Sequence, residues 1–84
     1  MAKLKRLVLD ILKPHQPNVI DFAKALSALG SEYRINLHVE EVDAKTESVT
    51  LRIEGADLDF MALQALINEL GASLHSIDEV EVLG

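Results

Sequence analysis

YRINLHVEEVDAKTESVTLRIEG, Tyr33 to Gly55, holds two runs in which apolar and polar side chains alternate. In the first, Tyr33, Ile35, Leu37 and Val39 alternate with Arg34, Asn36, His38 and Glu40. In the second, Val49, Leu51 and Ile53 alternate with Ser48, Thr50, Arg52 and Glu54. Alternation with period two is the mark of a strand with one face in the core. AKTE (44–47) turns the chain between them, so the two pair antiparallel, and Gly55 ends the second.

Around this hairpin the pattern changes period. Upstream, LKRLVLDIL (4–12) is too short for a capped helix and reads as strand one. Leu7, Leu9 and Ile11 form its apolar face. KPHQP (13–17) reads as a loop, because its two prolines break a ladder or a helix. Asn18 is an N-cap residue, and Val19, Phe22, Ala23, Leu26 and Leu29 then recur at helical spacing up to Gly30, the expected helix end. Downstream, Asp57 or Asp59 caps a second helix over about 59–70, with Phe60, Leu63, Ile67 and Leu70 facing the core and Gly71 closing it. A last strand runs from near Ser73 to about Val82.

The order is βαββαβ, an α+β ferredoxin-like sandwich in one domain spanning 1–84. Its four-stranded antiparallel sheet is expected in the order 4-1-3-2, with both helices on one face. A weak internal repeat superposes Asn18 on Asp59 and Gly30 on Gly71. The phase of strand one is chosen so that Asp10 stays out of the core, where an unpartnered carboxylate costs several kcal/mol.

That choice populates the face without helices. Val8, Asp10 and Leu12 from strand one join Arg52 from strand three, His38 and Glu40 from strand two, and His75 from strand four. Asp10 and Arg52 are expected as neighbours, able to form an ion pair. Val8 and Leu12 are apolar on this face, which leaves two readings: a solvated sheet with cross-strand charge pairs, or an oligomer interface. A chain of 84 residues buries only about 60–65% of its unfolded surface and has no cysteine to staple it, which favours self-association.

Composition narrows the chemistry. Fourteen Asp and Glu against eight Lys and Arg give a net charge of −6, which repels phosphate backbones and argues against nucleic acid. RNA-recognition sheets stack bases on aromatics, whereas Phe22, Phe60 and Tyr33 all fall on core faces. No run approaches a membrane span, and no cleavage site follows the apolar start, so the expectation is a cytoplasmic protein without a membrane partner. His15, His38 and His75 lie in separate elements and form no zinc spacing. His38 and Glu40 are an i, i+2 pair on one strand face, and acidic clusters at 40–43 and 57–59 leave weak divalent-cation binding open without matching a calcium loop. No serine sits in a nucleophile elbow, so no catalytic residue is assigned and a non-enzymatic protein is expected. The alternative is a regulatory subunit or enzyme with a polar site at the edge of strands one and four, built from Asp10, His15, His75 and Asp78.

HSIDEV (75–80) breaks phase. With Leu74 inward, strict alternation would expose Ile77 and bury Asp78, whereas Val80 and Val82 resume the inward phase. The pattern asks for a β-bulge between Ser76 and Glu79, with Ile77, Val80 and Val82 candidates for a subunit contact.

Several motifs together resemble an archaeal family of uncharacterised proteins, Domain of Unknown Function two-one-one. They are LVLDILKPH (7–15), F-A-x-x-L (22–26), E-V-D-x-x-T-E (41–47), I-E-G (53–55) and GASLHSIDEV (71–80). The resemblance spans nearly the whole chain. It implies a ferredoxin-like fold and a ring-like homo-oligomer, and it carries no activity. SEYRIN (31–36) is less glycine-rich than the turn such proteins usually place before strand two.

Overall fold

The computed structural model describes residues 1–84. Strands β1 (Lys3–Pro14), β2 (Arg34–Val42), β3 (Thr46–Glu54) and β4 (Ser73–Leu83) alternate with helices α1 (Val19–Ser27) and α2 (Phe60–Glu69) in the order βαββαβ. The sheet runs β2-β3-β1-β4, antiparallel throughout, which is the expected ferredoxin-like order read from the other edge. Leu7, Leu9 and Ile11 of β1 pair with Ile53, Leu51 and Val49 of β3, and all six are buried. Phe22 and Leu26 of α1 and Leu63 and Ile67 of α2 close over them. Asp10 therefore lies on the other face, as the solvation argument required.

Capping follows the local chemistry. The Asn18 side chain accepts from the Asp21 N–H and the Asp59 side chain accepts from the Ala62 N–H, each satisfying a first-turn donor. Asp57 caps nothing; its carboxylate accepts from the Leu4 N–H at 3.3 Å.

Three expectations are corrected. β1 does not stop at Leu12 but runs through Lys13 to Pro14, because Lys13 pairs with Glu47 and Pro14 with Thr46 at the tip of β3. α1 ends at Ser27, capped by Ala28, so Leu29 leaves the core face and is 39% exposed. The glycines of the internal repeat also do different work. Gly71 has φ +87° and suits a helix end, whereas Gly30 has no positive φ. Gly30 is instead the floor under the Tyr33 ring, and the Tyr33 hydroxyl accepts from the Asp59 N–H at 2.8 Å. A Cβ at Gly30 would strike that ring. Gly30→Ala should therefore cost about 1–3 kcal/mol by displacing Tyr33, and Gly71→Ala about 1–2 kcal/mol through backbone strain. Urea melts check both, and only Gly30→Ala should change tyrosine fluorescence.

Candidate functional site

The open sheet face is organised in cross-strand rows. Running from β2 to β4, one row is Arg34–Glu54–Arg6–Glu81, the next Asn36–Arg52–Val8–Glu79, and the third His38–Thr50–Asp10–Ser76. Strand pairing sets these neighbours, and they differ from the expected ones. Asp10 stands opposite Thr50 and Arg52 opposite Val8, so the Asp10–Arg52 ion pair does not form. Flanked by Arg52 and Glu79 on a central strand, Val8 is only 8% exposed, while Leu12 is 43% exposed. The apolar patch expected of these two residues thus shrinks to Leu12.

The first two rows enclose a polar concavity of about 420 Å³ lined by Arg6, Arg34, Asn36, Arg52 and Glu54. Glu54 braces it: Arg6 donates from Nε and Nη2 to Glu54 Oε2 at 3.0 and 2.9 Å, and Arg34 Nη1 lies 3.9 Å from Glu54 Oε1. Arg6 Nη1 also donates to Glu79 at 3.0 Å, and these two carboxylates raise the Arg6 pKa further. Alternation along the strands places Arg6, Arg34 and Arg52 on this face, but it gives no sign that the three converge on one concavity.

At the other end, Asp10, Ile11, Leu12, Ser48 and His75 line a cavity of about 260 Å³. Asp10 and His75 therefore line one cavity, with no hydrogen bond or ion pair between them. His15 and Asp78 do not join them. Asp78 accepts from the Ser76 hydroxyl at 2.7 Å, and His15 turns to the β2–β3 connection. His38 lies 3.8 Å from Glu40, which accepts from the Thr50 hydroxyl at 3.0 Å, so this pair is spent on sheet contacts. No three His, Asp or Glu side chains of one chain converge as metal ligands.

His15 belongs to a polar knot around a buried lysine that the sequence did not announce. Lys13 is fully buried, and its ammonium donates to the Pro14 carbonyl at 2.8 Å and to Glu47 Oε1 at 3.2 Å, with the Phe22 ring centroid 5.7 Å away. Glu47 Oε2 takes His15 Nδ1 at 3.1 Å, and His15 Nε2 faces the Ala44 carbonyl at 3.1 Å. Both ring nitrogens thus meet acceptors, and only the imidazolium can donate to both. The Glu47 and Ala44 bonds accordingly raise the His15 pKa, and the bonds from His15 and Lys13 lower that of Glu47. The His15 contribution to stability is complete below its ordinary pKa of about 6.5 and is lost as pH rises through the raised value. That of Glu47 is complete above the ordinary carboxylate range and fades as pH falls through its lowered value. Melting temperature should therefore be highest between about pH 4.5 and 6.5 and decline gently above it. His15→Ala should flatten the alkaline decline, and a pH series of thermal melts checks this.

β4 carries the remaining candidates. Its pairing with β1 skips His75 and Asp78, so two bulges stand where one was expected. Each adds a residue, which places Leu74, Ile77 and Val80 opposite Ile11, Leu9 and Leu7, all on the helix side. Ile77, Val80 and Val82 are nonetheless 48%, 53% and 54% exposed, because β4 is an edge strand reaching beyond its helical cover. At the opposite edge Val19, Ile20, Ala23 and Leu37, with Lys24, line an apolar groove between α1 and β2.

Fold and surface together define an α+β ferredoxin-like domain with a polar open face, devoid of aromatics, and apolar strips at both sheet edges. No helix is long and apolar enough to cross a membrane. Comparison with known proteins then places the sequence. The family model described as Uncharacterized ArCR, DUF211, matches residues 5–84, and the chain belongs to that family. It is similar to an uncharacterised protein of the archaeon Methanocaldococcus jannaschii, 48% identical over 80 residues that cover 95% of this chain and 82% of the relative.

Proposed function

We propose that the protein is a non-enzymatic building block of a ring-like homo-oligomer that binds small ligands. One observation carries the assembly: two exposed apolar strips lie at opposite sheet edges and at the same level. Ile77 shares its cross-strand row with Leu9, Leu51 and Leu37, so its row reaches the α1–β2 groove at the far edge. β4 and β2 also run antiparallel to one another, since each is antiparallel to its inner neighbour in a four-stranded sheet. Setting β4 of one copy beside β2 of the next continues both the ladder and the apolar layer. Neither edge strand contains a proline or a lysine to block such pairing. Two different surfaces meeting head to tail generate a ring when the rotation closes. The divalent-cation reading requires ligands from two copies, because one chain supplies no convergent set.

The edge-site enzyme reading keeps one supporting observation, the cavity shared by Asp10, Ser48 and His75. An activated nucleophile needs a base within hydrogen-bond reach, and no hydrogen bond links these three side chains. Light scattering on the purified protein tests the assembly. A particle mass several times 9.2 kDa is expected, and a single-chain mass would sink the proposal.

A further inference from the structure

This acidic chain contains three arginines, Arg6, Arg34 and Arg52, and all three line the same concavity. They come from three different strands and from two adjacent rows of the sheet. Solubility does not call for that convergence, since isolated surface charges serve it equally well. The arginines are also not simply neutralised. Glu54 and Glu79 are the carboxylates within ion-pair distance, so three guanidinium charges face two carboxylates. Arg6 is tied to Glu54 and Arg34 lies 3.9 Å from it, while Arg52 makes no ion pair and keeps its planar fork of donors free.

We propose that this concavity binds a small phosphorylated compound, with Arg52 as the principal ligand to the phosphoryl group and Arg34 and Asn36 beside it. A guanidinium fork matches two oxygens of a tetrahedral oxyanion, and Asn36 adds an amide donor to the same row. Glu54 holds Arg6 in place through two hydrogen bonds, which lowers the ordering cost on binding for that side of the concavity. A cavity of about 420 Å³ exceeds the needs of a bare phosphate and leaves room for an organic body. None of its five lining residues is hydrophobic, so that body is polar, of the sugar or polyol class; a nucleobase would need a stacking platform. The assignment does not depend on the proposed assembly, because it uses side chains of one copy.

Calorimetric titration of the native protein with inorganic phosphate and with ribose 5-phosphate, at matched ionic strength, tests it. Saturable binding is expected for both, tighter for ribose 5-phosphate. Arg52→Gln should weaken both by about tenfold or more, the loss of a charged hydrogen-bond pair. Lys45→Gln, which removes an exposed charge on the β2–β3 turn, should leave both unchanged. Arg52 is exposed, so the Gln variant is expected to fold, and its circular dichroism verifies that. Heats that fail to saturate, or that are equal in wild type and Arg52→Gln, overturn the site. Equal losses in Arg52→Gln and Lys45→Gln would reduce it to bulk electrostatics and overturn it too. Ribose 5-phosphate binding no tighter than inorganic phosphate overturns the organic part of the assignment.

Discussion

Glu47→Ala is expected to lower the melting temperature by about 12–24 °C. Lys13 reaches no solvent, and its ammonium has two oxygen partners, the Pro14 carbonyl and Glu47. An ion pair of this kind adds little net stability against apolar residues, but removing one partner strands the other charge. Lys13 would keep the Pro14 carbonyl and the Phe22 ring, which places the cost near about 3 kcal/mol, the lower end for a broken buried pair. In a domain of this size each kcal/mol moves the midpoint by about 4–8 °C. The double variant Lys13→Met with Glu47→Leu should recover most of the loss, because it removes both charges. Thermal melts of the three proteins decide the matter; a Glu47→Ala midpoint equal to wild type would mean that Lys13 finds water or another carboxylate.

Val80→Lys should reduce the particle to one 9.2 kDa chain without unfolding it. Val80 is already 53% exposed within a single chain, so a lysine there carries no folding penalty comparable to its effect in a contact between copies. The same change inside an edge-to-edge contact buries an ammonium against apolar side chains. Ile20→Asp, at the α1–β2 groove, should act in the same way, because a head-to-tail ring uses both edges of every copy. Mass measured by light scattering and helicity by circular dichroism read the two effects separately. Dissociation by Val80→Lys alone would point to a symmetric contact between two β4 strands and would end the ring proposal.

How far each feature was legible tracks how local its cause is. The hairpin at 33–55, the Asn18 and Asp59 caps and the core faces of both helices depend on residues a few positions apart. Lys13 was misread because a proline on either side of His15 suggests a loop, whereas an edge of the β1–β3 ladder accommodates Pro14 at its last position. The HSIDEV phase break was visible as a conflict between Ile77 and Asp78. A single bulge there would turn Val80 and Val82 outward, and the second bulge, at His75, is what keeps Val80 on the helix side.

The sequence by itself determined the βαββαβ order, the faces of the first three strands and membership of an uncharacterised archaeal family, since periodicity, capping chemistry and motif identity are carried by neighbouring residues. Only the tertiary structure decided that Glu47 reaches Lys13, that Val8 is shielded, that Asp10 misses Arg52, and that three arginines share one concavity. Those outcomes rest on cross-strand register, in which a shift of one residue changes every neighbour on a face, and register is set by the packing of the whole sheet.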